Sequence, residues 1–363
     1  MKKILFFLSS GKLSGGEKVA LDIAIRLKNK FDFIFYLPEE PQKEFLEFLN
    51  GFKVYFAKDN SIFKISKNLK ETIDKEKPNI IVCHGIRSSI YLKLLLFSLK
   101  KNFKFIYVLH GIHFIRRKFP FNYIFLFWEI FTNRIFVDKL VCVGKDDYDL
   151  AKKLKLINEK KLLLIENGIN VEEYQNIPKG FLRNKFNLQN KKILLTICRL
   201  HYQKDVKTII KSINLLKDED LVLFIVGDGP DRKELEELVN NLNLQEKIKL
   251  LGFKKEVKEI LKDADIFILS TRWEGLPIVI LEAWASKVPV IASNVHGIKS
   301  LIENEKDGLS FGFGNEKDLA EKIKILLENE EMRKKLSENG FVKVTKKFNV
   351  ERMINQYELL FLE

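Results

Sequence analysis

The chain of 363 residues is poor in cysteine and lacks any long apolar run. Its three cysteines, Cys83, Cys142 and Cys198, stand far apart with no CxxC pair. That excludes a disulfide scaffold and a thiolate zinc site, and it suits a reducing compartment. No apolar stretch approaches the ~20 residues that a membrane-spanning helix needs. Lys2, Lys3 and the run Ile4–Leu8 imitate the start of a signal peptide. The run is short, however, and leads into SSGKLSGGEK with no small-residue cleavage site, so a first β-strand is expected there. Short-period repeats and low-complexity tracts are also missing. A composition of 46% hydrophobic and 31% charged residues excludes disorder, and the length implies two domains of ~100–200 residues each.

Acidic residues are short of the basic ones in one half only. The net charge is +14; Met1–Gly180 holds 32 basic and 20 acidic residues, a net +12, whereas Phe181–Glu363 holds 31 and 29, a net +2. The asymmetry implies a polyanionic partner for the first half: nucleic acid, a membrane surface or a phosphorylated substrate.

Short apolar runs alternate with longer amphipathic stretches. In the first half the runs are Ile4–Leu8, Phe33–Leu37, Lys53–Ala57, Ile80–Cys83, Phe105–His110, Lys139–Gly144 and Leu162–Gly168. They are continuous rather than alternating, as in strands buried on both faces, and the helical patterns between them imply a parallel sheet covered by helices. A polar segment, Asn170–Asn190 with Pro178 and Gly180, reads as a linker with a short helix. A second series follows at Ile193–Leu200, Leu221–Gly227, Ile248–Phe253, Ile266–Ser270, Pro289–Ser293 and Gly308–Gly312. The chain thus reads as two doubly wound α/β domains with a cleft between them.

In open α/β sheets ligands bind beyond the carboxyl ends of the strands. After the first strand, Gly15 and Gly16 open a helix. They can cradle a phosphate or simply make a tight turn. A Walker loop is disfavoured, because Glu17 stands where its lysine belongs. After the first strand of the second series come Arg199 and Lys204, a pair able to neutralise a diphosphate or merely a solvated surface. GDGPDR, Gly227–Arg232, lacks the third glycine of a dinucleotide fingerprint. The most specific segment is STRWEGLPIVILEAWASKVPVIAS, Ser270–Ser293, in which Glu274 lies in a loop and Glu282 eight residues on inside an apolar helix with Pro277 near its start. A carboxylate on such a helix needs a partner, because burying it unpaired is costly. A structural salt bridge is the plain reading.

Together these elements resemble the retaining glycosyltransferases of family 4. The resemblance runs through Gly15–Gly16, the His-Gly at His110–Gly111, ENGIN at Glu166–Asn170, Arg199 with Lys204, GDGP at Gly227–Pro230 and EGLPIVILEA at Glu274–Ala283, the last matching the family's E-x7-E signature. It implies the GT-B fold: two Rossmann-like doubly wound parallel-sheet domains facing a central cleft. Residues 1–186 would bind the acceptor, 187–345 the nucleotide-sugar, and 346–363 would form a helix crossing back to the first domain. Glu282 would bind the ribose hydroxyls and Glu274 would face the transferred sugar. Gly275, Leu276 and Pro277 would line the sugar pocket, with Ile278 and Val279 near the phosphates. Arg199 and Lys204 would hold the diphosphate and stabilise its departure without a metal, with Gly15 and Gly16 closing against it. His110 would orient a hydroxyl beside the sugar. No cofactor is tightly held; the co-substrate is a nucleotide-sugar, with UDP-sugars placed before GDP-sugars. The acceptor would be a glycan or lipid-linked saccharide of cell-surface polysaccharide, lipopolysaccharide or glycolipid synthesis.

The sequence departs from the family in VHGIKSLI, Val295–Ile302, where His296 replaces a glycine and Ser300 an acid, and in Asn170, where Asp is common. His84 would line the acceptor side or cap the sheet. A metal site built from His84, His110 and His113 lacks a carboxylate or cysteine at ligand spacing. The acidic triplets at Asp218–Asp220 and Asp263–Asp265 precede strands rather than follow them and are set aside as metal motifs. In His113–Phe136 the cluster Arg116, Arg117 and Lys118 adjoins a dense aromatic run, which suits an anionic bilayer interface or a buried helix with a solvated basic end. Ile90–Lys101 is a second candidate surface, or a core helix. The expected location is the cytoplasm, peripheral at the inner face of the cell membrane. Two other functions fit parts of the pattern: an epimerase or phosphorylase of the same fold, and a basic nucleic-acid binder, for which no recognition module is present.

Overall fold

A computed structural model describes residues 1–58, 61–112 and 120–363, with the backbone alone at Glu44. The described residues divide into two compact units, Met1–Asn167 with Arg352–Glu363, and Gly168–Glu351.

In the first unit the apolar runs form β1 (Lys3–Phe7), β2 (Asp32–Leu37), β3 (Lys53–Phe56), β4 (Ile80–His84), β5 (Lys104–Leu109), β6 (Lys139–Cys142) and β7 (Leu162–Leu164). They lie in one parallel sheet, ordered β3-β2-β1-β4-β5-β6-β7. Ile4 to Phe7 are fully buried, since both sheet faces are covered, which is why the run is apolar without alternation. On one face Leu5, Phe7, Ile34, Tyr36 and Ile81 pack with Ile65, Leu69 and Leu92 from the helices Ile62–Glu76 and Ile86–Leu96.

On the other face lies the last helix, Val350–Leu362. The ring of Phe361 sits 6.2, 5.6 and 6.3 Å from those of Phe6, Phe31 and Phe33. Helix ends leave carbonyls without intrahelical donors and carry partial negative charge. Lys2 donates to the carbonyls of Phe361 and Leu362 at 3.0 and 2.8 Å, and Lys104 to that of Leu360 at 3.0 Å. Part of the basic excess of this half is therefore spent inside the fold.

Lys93 and Glu129 are wholly buried, and Lys93 Nζ reaches both carboxylate oxygens at 3.0 Å. The same ammonium lies 4.8 Å above the ring of Tyr107, and Asn133 donates to Glu129 at 3.4 Å. Burial pushes the Lys93 ammonium down from its usual range and the neighbouring carboxylate opposes that shift. The pair ties the helix Ile86–Leu96 to the helix Phe121–Phe136. The stretch Ile90–Lys101 thus supplies a core helix with a charge at its centre, while Leu94 and Phe97 remain exposed.

The second unit repeats the plan with β8 (Lys192–Ile197), β9 (Leu221–Val226), β10 (Ile248–Gly252), β11 (Ile266–Leu269), β12 (Val290–Ser293) and β13 (Leu309–Phe311), all parallel, ordered β10-β9-β8-β11-β12-β13. The segment 168–186, which a boundary at residue 186 puts in the first domain, packs in this unit. Asp263 is the physical reason: its carboxylate accepts from the N–H groups of Gly180 and Leu182 at 2.6 Å and of Arg183 at 3.2 Å. Asp265 pairs with Arg183 at 2.7 Å. The acidic triplet is a clamp for that segment. Among the described residues no helix is long and apolar enough to cross a membrane.

Candidate functional site

The strand order reverses direction between β1 and β4 in the first sheet and between β8 and β11 in the second. A doubly wound sheet binds ligands beyond the carboxyl ends of its strands at such a point. Gly15 and Gly16 after β1, Arg199 and Lys204 after β8 and Glu274 after β11 fall there, while His110 follows the neighbouring strand β5.

In the second unit Arg199 stands exposed just past β8. The Gly227 turn fixes its loop: Gly227 has φ +125°, and a Cβ there would lie 1.9 Å from the Cys198 carbonyl oxygen. Leu200 N–H donates to the Asp228 carbonyl at 3.0 Å. GDGP is thus the backbone seat of the Arg199 loop. Burial pushes the Cys198 thiol up to about 11, so this cysteine stays protonated.

Lys204 closes a single 3-10 turn, Tyr202–Lys204, and Asp205 after it takes the left-handed conformation at φ +42°. Asp tolerates that region better than most residues, and its carboxylate accepts from Thr208 at 2.7 Å and from Ser270 at 3.2 Å. Arg272 N–H donates to the Gln203 carbonyl at 2.8 Å, and the Gln203 amide donates to the Trp273 carbonyl at 2.8 Å. The turn is therefore stitched to the loop after β11. Across that stitch Lys204 Nζ donates to Glu274 Oε1 at 2.6 Å, with the two side chains 19% and 9% exposed. Glu274 N–H in turn donates to the His296 carbonyl at 3.0 Å, so the loop that departs from the family pattern holds the backbone of this residue.

Gly275, Leu276 and Pro277 are buried, and Pro277 is the N-cap of the helix Ile278–Ala285. Ile278 and Val279, half-buried, form its first turn, where backbone N–H groups lack intrahelical partners. Glu282, buried further along, accepts from the Tyr174 hydroxyl at 2.9 Å. The Tyr174 hydroxyl is thus one partner of this carboxylate. Tyr174 was outside the sequence pattern, and nothing in its local sequence signals the bond. Trp284 roots the same helix by donating to the Asp307 carbonyl at 3.0 Å.

In the first unit the helix Gly15–Leu27 begins at the two glycines. Glu17 in its first turn is buried and takes a bond from Ser14, and burial raises its pKa. A Cβ on Gly16 would lie 3.2 Å from His110 Nε2, so the imidazole occupies the space a side chain would need. His110 follows β5, and His84, the last residue of β4, pairs in register with Val108. His84 Nδ1 lies 3.2 Å from His110 Nε2. The ring centroids are 5.5 Å apart with 24° between the planes. His84 is 1% exposed, and burial, aided by His110, holds its pKa well below the usual range.

Each unit therefore gathers its own residues: Lys204 with Glu274, Gly16 with His110. Arg116, Arg117, Lys118 and His113 lie outside the described residues. The helix that follows them, Phe121–Phe136, leaves Phe121, Tyr123, Ile124, Phe127, Phe131 and Ile135 between 45% and 71% exposed.

The family model described as Glycosyltransferase Family 4 matches residues 13–173, and that described as Glycosyl transferases group 1 matches residues 178–343. The UDP-Gal:alpha-D-GlcNAc-diphosphoundecaprenol alpha-1,3-galactosyltransferase of Escherichia coli is 27% identical over 97% of this chain and 94% of its own. The N,N'-diacetylbacillosaminyl-diphospho-undecaprenol alpha-1,3-N-acetylgalactosaminyltransferase of Campylobacter jejuni is 30% identical over 56% of this chain and 55% of its own. The crystal structure of Anabaena HepE in complex with UDP-glucose matches 100% of both chains with a TM-score of 0.89 at 20% identity. The two parallel-sheet units have the GT-B architecture that the sequence implies.

Proposed function

The chain belongs to glycosyltransferase family 4, and from that premise we propose that it moves a hexosyl or N-acetylhexosaminyl group from a nucleotide-sugar to a diphospholipid-linked saccharide, with retention of configuration and without a metal. The observation that carries this reading is the Lys204–Glu274 pair at 2.6 Å on the switch point of the second sheet, with Glu282 eight residues further along.

As the bond to the transferred sugar breaks, charge grows on the departing diphosphate. Arg199 and Lys204 stabilise that charge, an effect strongest where water is excluded. With no donor bound, Glu274 balances Lys204; a diphosphate then competes for the ammonium and leaves Glu274 to accept from sugar hydroxyls. Glu282, held by Tyr174, accepts from the ribose hydroxyls. The backbone of Gly275 to Pro277 lines the sugar pocket, and the N–H groups of Ile278 and Val279 serve the phosphates. In the first unit Gly15 and Gly16 offer N–H groups to the diphosphate, and His110 orients a hydroxyl of the sugar. A UDP-sugar is the favoured donor, in keeping with the donor named for the Escherichia coli relative and the ligand of HepE. Both curated relatives act on a diphospho-undecaprenol-linked sugar, which supports an acceptor of that class. The epimerase alternative has no support from these relatives.

The exposed aromatic face of the helix Phe121–Phe136 and the basic cluster before it support attachment to the inner face of the membrane. Each basic residue near an anionic surface contributes ~1 kcal/mol.

A thermal-shift series with nucleoside diphosphates and nucleotide-sugars tests the donor. A true donor at 100 times its Kd adds ~2.7 kcal/mol of stability, and no stabilisation by any of them would remove the proposal. Mass spectrometry of the products then separates transfer to a diphospholipid-linked sugar from an epimerised nucleotide-sugar.

A further inference from the structure

The geometry points to His84 as a positioning residue that donates its Nδ1–H to His110 Nε2 and so fixes which ring nitrogen of His110 carries the proton. This rests on the reading of His110 as the histidine that serves the transferred sugar.

The Nδ1···Nε2 separation of 3.2 Å is within hydrogen-bond range. With 24° between planes and 5.5 Å between centroids, the rings meet edge to edge, so the bond lies near the plane of the accepting ring rather than against its face. A neutral imidazole has one N–H and one acceptor nitrogen. His84 Nε2 is buried with no hydrogen-bond partner among the described residues. A proton there would be a buried donor left unmade, costlier than an idle acceptor. The proton of His84 therefore sits on Nδ1 and goes to His110.

His84 has little freedom to do otherwise. Its carbonyl accepts from the hydroxyls of Ser9 and of Ser88, the latter at 2.9 Å, and its ring stands edge-on to Phe6 at 5.1 Å. The absent side chain of Gly16 leaves room for the His110 ring. Desolvation keeps His84 uncharged, which prevents two N–H groups from facing each other.

The consequence for chemistry is directional. Once its Nε2 lone pair is occupied, His110 carries its own proton on Nδ1. That nitrogen is then a hydrogen-bond donor, fit to hold a sugar hydroxyl oxygen, and Nε2 is closed as a base for the proton of the incoming acceptor.

The experiment uses the full chain. Nitrogen-15 spectra of the imidazoles report the tautomer of His110, assigned by its loss in His110→Ala. The wild type is expected to show His110 protonated at Nδ1. His84→Leu should shift it to Nε2. His84→Asn, whose amide nitrogen takes the place of Nδ1, should keep the wild-type pattern. With UDP-galactose and a diphosphoundecaprenol-linked N-acetylglucosamine as probes, His84→Leu should lower kcat about tenfold or more with the UDP-galactose KM held within about twofold, and His84→Asn should restore it to within about threefold. A wild-type His110 protonated at Nε2, or a tautomer indifferent to His84→Leu, overturns the proposal. These spectra need no activity, and they need only His84→Asn to fold if His84→Leu does not, since Asn must then preserve the wild-type signal. A tautomer that shifts as expected while His110→Ala transfers sugar at the wild-type rate overturns instead the reading of His110, and the positioning role with it.

Discussion

The two units carry the same run of strand order, two strands wound one way and the rest the other, yet the first places imidazoles at the reversal and the second a cation paired with a carboxylate. The first unit also buries an ion pair and exposes an aromatic helix face, and it lies almost wholly in the strongly basic half of the chain. The second lies largely in the nearly neutral half and has at its switch point cations balanced by acids. One topology supplies a place for a ligand, and the loops supply the chemistry. A balanced Lys204–Glu274 pair suits a group whose charge changes during reaction. A His84–His110 pair anchored on the desolvated His84 suits a group that must keep one orientation.

The sharpest way to break this contrast is in the second unit. Lys204→Ala and Glu282→Ala should each lower transfer by ~1000-fold or more while circular dichroism is unchanged; near-normal rates in either variant would take the donor away from this sheet. The first unit should respond in stability instead. Lys93→Ala leaves the Glu129 carboxyl buried without its cation, and urea unfolding should record a loss of ~3–5 kcal/mol. Lys93→Met combined with Glu129→Leu should recover most of that, because two apolar residues need no desolvation of charge. Next in size, Tyr174→Phe removes one bond to a carboxylate, ~1.5 kcal/mol, and calorimetry should find UDP bound about tenfold more weakly. The smallest effect is expected outside both switch points: Arg117→Ala should weaken sedimentation with anionic vesicles by about fivefold, equivalent to ~1 kcal/mol, with UDP affinity unaltered. Equal losses of vesicle and UDP binding would merge the two regions that the comparison separates.

Much of this was legible in the residues. Each strand is a continuous apolar run because both faces of each sheet are covered, and the Glu274–Glu282 spacing placed one acid in a loop and the other in a helix. What escaped has a common cause. Periodicity tells which face of a helix is apolar and not what stands opposite it. Lys93 sits among leucines as a solvated lysine would, and only the helix Phe121–Phe136 brings Glu129 to it. Tyr174 and Glu282 are 108 positions apart, and no local signal joins them. The polar stretch 168–186 has the composition of a linker, and it is three backbone N–H groups accepted by Asp263 that fix it to the second unit.

The last helix has a bearing on the order of assembly. The first unit is written in two pieces, Met1–Asn167 and Arg352–Glu363, with the whole second unit between them in the chain. A ribosome delivers the pieces in that order. Until the final residues emerge, the sheet face bearing Phe6, Phe31 and Phe33 lacks the ring of Phe361, and Lys2 and Lys104 lack their carbonyls. Domains tend to fold as they are made, so the second unit can close around its own sheet while the first still waits with an aromatic surface open to solvent. Exposed apolar patches of that kind invite association. A chain stopped a dozen residues early would lose solubility before it lost the Lys204–Glu274 pair.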